Sequence, residues 1–175
     1  MRKNTVMTIV LPLLAVLVLL AGGCNSAVDD ADTTVVLQVS ITESPAITGQ
    51  NEGGICNYTI TEWSADFANL PKNASAVTSP FNDITVRSWI TSYSWPGNPG
   101  IVPPPDRLLP VPGTVPADGQ QSVTFSPILF DDLTGAMAGT SAILTMTVDA
   151  VTGTGDPISV TILEQLNIES CSGAP

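Results

Sequence analysis

The sequence predicts an all-β domain, an antiparallel two-sheet sandwich of six or seven short strands, set behind a separate apolar N-terminal signal helix. Three observations predict it. Runs rich in Val, Ile and Thr alternate with polar residues at period two. Gly, Pro, Asn and Asp punctuate those runs, with 14 Gly and 15 Pro in 175 positions. Beyond residue 24 no stretch carries the 3.6-residue period of an amphipathic helix. Short strands joined by turns bury their apolar faces most simply by packing one sheet on another.

Residues 1–24 stand apart from that pattern. Arg2 and Lys3 precede an apolar run over residues 6–20, which ends in Ala21, Gly22, Gly23 and Cys24. Cations that stay on the cytoplasmic side, a helix that enters the bilayer and small residues that open the backbone to a peptidase are the physical parts of an export signal. A retained spanning helix is the alternative, but it wants about 20 apolar residues, and this run is shorter and contains Pro12. The tail Leu20-Ala21-Gly22-Gly23-Cys24 resembles the lipobox of bacterial lipoproteins, with Ala21 where Leu is more usual. The resemblance implies removal of residues 1–23 and a thioether-linked diacylglycerol on Cys24, often with a third, amide-linked chain. Two or three chains anchor stably where one binds only marginally. Asn25 follows, not the Asp linked to inner-membrane retention in enteric bacteria, so the outer membrane is expected, with surface and periplasmic faces equally open.

Without that leader, 152 residues remain, enough for one domain with a real core. The full chain has 16 acidic and 5 basic residues; Arg2 and Lys3 leave with the leader, and the remainder carries a net charge of −13. Such a surface repels nucleic acid and anionic headgroups, so no nucleic-acid partner is expected. Of three cysteines, lipidation takes Cys24. Cys56 and Cys171 are an even pair in an oxidising compartment, read as a disulfide. A metal-binding or catalytic thiol would need a second Cys or a His nearby.

Residues 24–34, with Asp29, Asp30 and Asp32 among small residues, read as an acylated acidic tether with nothing to pack. The domain then spans 35–175. Residues 35–41 place Leu37, Val39 and Ile41 on one face; residues 55–63 place Cys56, Tyr58 and Ile60 together, with Cys56 on the buried side. Residues 64–80 are less regular, and Phe67 with Leu70 suggests one helical turn. Residues 84–95 are a long strand with Ile84, Val86, Ser88 and Ile90 on one face and Arg87, Trp89, Thr91, Tyr93 and Trp95 on the other, unless a bulge near Ser92 moves Tyr93 or Trp95 to the opposite face. Residues 96–116 hold eight prolines. Proline lacks the ladder N–H, so no central strand runs here; this is an extended crossover over an edge or end of the sheet, pinned by Leu108, Leu109 and Val111, and a short edge strand within it would be the seventh. Three strands follow, carrying Val123 and Phe125, then Ala142, Leu144, Met146 and Val148, then Ile158, Val160 and Ile162, with a hairpin turn over 152–157.

The cadence Ile90-Thr91-Ser92-Tyr93, a proline-rich crossover and then Val115-Pro116-Ala117-Asp118-Gly119 leading into Ser122-Val123-Thr124-Phe125 resembles immunoglobulin-like or fibronectin type III-like modules of bacterial envelope proteins. The resemblance covers roughly 84–168 and implies an Ig-like sandwich in the envelope, without an activity. Cys171 lies beyond the final strand, so the buried disulfide of antibody domains is not matched.

Candidates for chemistry are few. The chain has no His, which removes the commonest general base and zinc ligand. A Ser–Lys dyad would need Lys72, in an apparent loop between Pro71 and Asn73. A carboxylate pair for glycoside hydrolysis needs two acids about 5 to 10 Å apart across a cleft, whereas Asp131 and Asp132 are adjacent. With Thr134 and Gly135 that pair is the best calcium candidate, set against a plain acidic loop. The sequons at Asn57 and Asn73 read as chance matches. No catalytic residues, no cofactor and no enzyme activity are expected. Trp89, Tyr93 and Trp95 are either core or a platform for stacking sugar rings. The expected function is thus a membrane-anchored, non-enzymatic structural, adhesion or interaction module with an envelope protein or glycan as partner. The alternative is a carbohydrate- or cell-wall-binding lipoprotein using that aromatic face.

Overall fold

The computed structural model describes residues 26–27, 33–53, 55–73 and 79–171. Cys24, the leader and Asp29, Asp30 and Asp32 lie outside them. The described residues form strands β1 (Ser26–Ala27), β2 (Val35–Glu43), β3 (Thr48–Glu52), β4 (Ile55–Thr59), β5 (Trp63–Pro71), β6 (Ile84–Ser94), β7 (Arg107–Leu108), β8 (Thr114–Val115), β9 (Gln120–Phe125), β10 (Thr140–Thr152) and β11 (Pro157–Ile168), with three single 3-10 turns and no α-helix. The described residues are all-β, and every strand pairing among them is antiparallel.

One sheet runs β1-β2-β5-β9; the other runs β11-β10-β6-β7, with β8 also on β6; β3 and β4 form a separate hairpin. Between the two large sheets lies one apolar core, to which β2 gives Val35, Leu37 and Val39, β10 gives Ala142, Leu144, Met146 and Val148, and β11 gives Ile158, Val160 and Ile162. Aromatic rings bridge the layers. Trp89 of β6 meets Phe67 of β5 edge-on at 5.2 Å and Phe125 of β9 at 4.6 Å, while within one sheet Trp63 meets its ladder partner Phe125 at 6.1 Å.

The two ends of the domain differ. At one end the Asn69 side-chain amide, fully buried, donates to the carbonyls of Asn82 and Val115, tying the end of β5 to the start of β6 and to β8. At the other end Ile47, just past β2, forms a parallel bridge with Ile168 of β11, and the Tyr93 hydroxyl at the end of β6 donates to the carbonyl of Pro127, just past β9. We call this second end the hairpin end, because β3 and β4 continue outward from it.

Several expectations are corrected. Residues 64–80 do not open with a helical turn: β5 is an inner strand of its sheet, with Trp63, Ala65, Phe67 and Asn69 alternating inward while Leu70 points out. Residues 55–63 are not one strand but β4 and the first residue of β5, separated at 60–62. The bulge on β6 sits at Arg87, not at Ser92: Ser88 pairs with Asp149 while Val86 pairs with the next residue, Ala150. The extra residue shifts the pleat by one, so Ile84 and Val86 share the buried face with Trp89, Thr91 and Tyr93. The proline-rich segment does contribute a short edge, the seven-strand form of the expectation, since β7 and β8 both pair with β6 on either side of Pro110 and Pro112. Of its three expected pins only Leu109 is buried, while Leu108 and Val111 face outward. These splits and the added β3–β4 hairpin account for the larger strand number. Residues 24–34 also do more than tether, because Ser26 and Ala27 pair with Val39 and Gln38.

The hairpin turn over 152–157 forms as expected. Thr152 and Asp156 close it by an N–H to carbonyl bond of 2.9 Å, with Gly155 at φ 96°. Gly153 is needed for a different reason. A Cβ there would lie 2.5 Å from the Pro80 carbonyl oxygen, and the Gly153 N–H donates to the Asp83 carbonyl.

Candidate functional site

The β3–β4 hairpin has little of its own to hold it, since a two-stranded ribbon is marginal in water. Here it is fixed at two points. Ile47 N–H donates to the Asn167 carbonyl and Glu169 N–H to the Ile47 carbonyl, which splices β3 onto the end of β11. Cys56 of β4 is joined to Cys171 by a disulfide across 115 residues of sequence, with a Cα separation of 5.8 Å. Cys56 is half-buried toward Cys171 in this hairpin, not on the core face of a main sheet. Gly49 opposite makes room: a Cβ would come within 3.2 Å of the Cys171 Sγ and of the Tyr58 ring. Near the tip Asn57 donates to Glu52, and Ile55 is 67% exposed.

Trp89, Tyr93 and Trp95 are core residues, exposed by 0%, 7% and 4%. Sugar stacking needs an open ring face, and none of these three presents one. Tyr93 and Trp95 stack on each other at 6.4 Å, and the Trp95 indole N–H donates to Thr140. The bulge at Arg87 keeps this face continuous with Ile84 and Val86, so the aromatic row belongs to the apolar core.

That row does carry a polar cluster that the sequence did not reveal. Thr91 pairs across the ladder with Arg107. The guanidinium donates through Nη2 to the Ser126 carbonyl at 2.6 Å, beside the Tyr93 to Pro127 bond of 2.9 Å. Together they hold the chain where it leaves β9. Burial pushes the Tyr93 pKa up, partly offset by the Arg107 charge. Thr91 Oγ1, Arg107 Nη1 and Trp89 Nε1 are buried without hydrogen bonds of good geometry to protein. Thr91 and Arg107 were visible in the sequence, but their pairing depends on a two-residue strand inside a proline-rich segment.

Asp131 and Asp132 lie together in a 3-10 turn, Phe130–Asp132. Asp131 is exposed and Asp132 half-buried, and the described residues hold no group of three or more side chains suited to a metal. Lys72 follows β5, its N–H bound to the Thr34 carbonyl. A shallow hollow of about 410 Å³ between the start of β10 and the end of β11 has Glu169 as its single ionisable side chain. Such a lining can hydrogen-bond but offers no nucleophile paired with a base. On β11 Glu164 stands in the inward row between Ile162 and Leu166, half-buried, and burial raises its carboxyl above the usual range. No helix among the described residues is long and apolar enough to cross a membrane.

No family model matches the chain, and no curated protein matches it. Among solved structures it is similar to Northeast Structural Genomics Consortium target SoR45, determined by X-ray, with 13% identity over 79% of this chain and 89% of that one and a TM-score of 0.46.

Proposed function

We propose that this protein is an exported lipoprotein of the bacterial envelope, held in the membrane through Cys24, whose domain is an immunoglobulin-like sandwich acting as a non-enzymatic structural, adhesion or interaction module. The observation that supports this reading most is the allocation of the cysteines. Cys56 and Cys171 are joined to each other, as an oxidising compartment favours, and the remaining cysteine is the one at the end of the Leu-Ala-Gly-Gly-Cys motif. The Ig-like assignment rests on two packed antiparallel sheets with an aromatic core, and on the cadence of residues 84–168. An outer-membrane position follows from Asn25 after the acceptor.

The test is the intact mass of protein extracted from bacterial membranes, followed by protease treatment of intact cells. Loss of residues 1–23 with added acyl chains on Cys24 is the expected result, and Cys24→Ser should release the domain into the soluble fraction. An unmodified Cys24 in membrane-extracted protein would sink the lipoprotein reading. Removal of the domain from intact cells, with a periplasmic control preserved, would place it on the cell surface and favour adhesion.

A further inference from the structure

We propose that β9 is a docking edge for a second copy of this chain, and that two domains join β9 to β9 antiparallel, so that their two β1-β2-β5-β9 sheets become one. Nothing in this pairing requires an anchor on Cys24, so it adds a partner to the reading above without depending on it.

A strand at the edge of a sheet offers unpaired N–H and C=O groups to any other chain, and folded proteins guard such edges. Of the outer edges of the two large sheets, all but one are guarded. β1 is two residues long, and β7 and β8 are two-residue strands separated by Pro110 and Pro112. β11 carries Glu164 in its inward row, and Ile47 already occupies its far end through bonds to Asn167 and Glu169. β9 has none of these devices. Gln120–Phe125 includes no charge and no proline, and its register with β5 runs without a bulge. Gln120, Gln121, Ser122 and Thr124 are exposed.

The ladder with β5 fixes which backbone groups are free. Asn69 N–H donates to the Gly119 carbonyl, and in an antiparallel pair the bonded positions alternate. Gln121, Val123 and Phe125 therefore bond toward β5, while the N–H and C=O groups of Gln120, Ser122 and Thr124 point away from it. A second β9 set antiparallel about Ser122 places Ser122 opposite Ser122 and Gln120 opposite Thr124, so each free donor meets a free carbonyl. The contact is isologous and leaves neither β9 edge open, which stops assembly at a dimer.

The charges agree with this register. Asp118, exposed in the turn before β9, comes to the far end of the other β9, where Arg107 holds the Ser126 carbonyl. The two-fold axis makes that opposite-charge approach twice. Like charges stay apart. The Asp66 carboxylates, each accepting from a Ser122 hydroxyl, lie three strand spacings from one another, about 14 Å, beyond the Debye length of about 8 Å. β11 of each copy faces away from the junction, so Glu164 still guards that edge.

The test uses full-length protein from bacterial cells, in nonionic detergent, and sedimentation should show a dimer. Thr124→Pro removes an edge N–H that the ladder with β5 does not use. It should keep the near-ultraviolet dichroism of the buried Trp63, Trp89 and Trp95 and lose the dimer. Asp118→Asn should raise the dimer dissociation constant several-fold, since Asn tolerates the positive φ of this position. Under oxidation in intact cells Ser122→Cys should cross-link to itself, while Thr161→Cys, on the outer row of β11, should not. Ser122→Cys cross-linking no better than Thr161→Cys would overturn the proposal, as would a monomeric parent or a dimer that persists in Thr124→Pro. If Thr124→Pro fails to fold, the cross-link decides.

Discussion

Trp89 meets Phe125 at 4.6 Å between ring centroids, across the gap between the two sheets, and this contact couples the layers. Trp89 is fully buried and also touches Phe67. Truncation leaves a cavity that neighbouring strands cannot close, because each is fixed by its own ladder. Trp89→Ala is expected to cost about 3 to 5 kcal/mol, a large share of the roughly 5 to 15 kcal/mol that a domain of this kind has. The indole N–H has no protein partner, so Trp89→Phe removes volume but no hydrogen bond and should cost well under half as much. Urea denaturation of the two variants checks the ratio; equal losses would mean that the indole nitrogen matters through a contact other than packing.

The disulfide acts on a different state of the chain. Cys56 and Cys171 are 115 residues apart, and in the loop-entropy model a link of that span constrains the unfolded ensemble by about 4 to 5 kcal/mol. The double variant Cys56→Ser, Cys171→Ser should lose stability on that order. Because the hairpin is otherwise joined to the body by the Ile47 splice and by Tyr58 packing on the core, amide exchange in residues 48–59 should rise well before that of β10 or β6. Unchanged exchange in the hairpin would show that its own ladder suffices.

Where a strand's inner row is wholly apolar, the sequence was enough. Val35, Leu37 and Val39, the run Ala142 to Val148 by twos, and Ile158, Val160 and Ile162 all read directly as buried rows, and the turn between β10 and β11 was legible from Gly153 and Gly155. Failures came where pairing decides. β5 hides its alternation because its fourth inward residue is Asn69, buried only because Asn82 and Val115 accept its two amide hydrogens. Phe67 and Leu70 then mimic a helical spacing. The bulge at Arg87 is a property of two strands, and one strand cannot show which residue its partner skips. The Cys56–Cys171 link was legible by elimination, while the projection of its hairpin was not, since that depends on Ile47 joining β11. The Thr91–Arg107 pair was hidden for the same reason.

Glu164 gives a prediction whose sign depends on pH. It faces inward on β11, an edge strand of its sheet, and burial raises its carboxyl above the ordinary value of 4.5. A carboxyl with a raised folded-state pKa holds more protons folded than unfolded, so stability falls as pH rises through the window between the two values and stays lower above it. Glu164→Gln should therefore be more stable than the parent at neutral pH and no more stable below the ordinary value. Paired urea titrations at the two pH values cancel the other carboxylates. An inward charge on an exposed edge also blocks pairing with another chain, and Ser159, Thr161, Leu163, Gln165 and Asn167 on its outer row carry no charge to do so. The same variant should thus gain folding stability and lose solubility, with concentration-dependent association seen in sedimentation. Destabilisation at neutral pH would instead show that the carboxylate is held by a favourable contact, and would remove both parts of the argument at once.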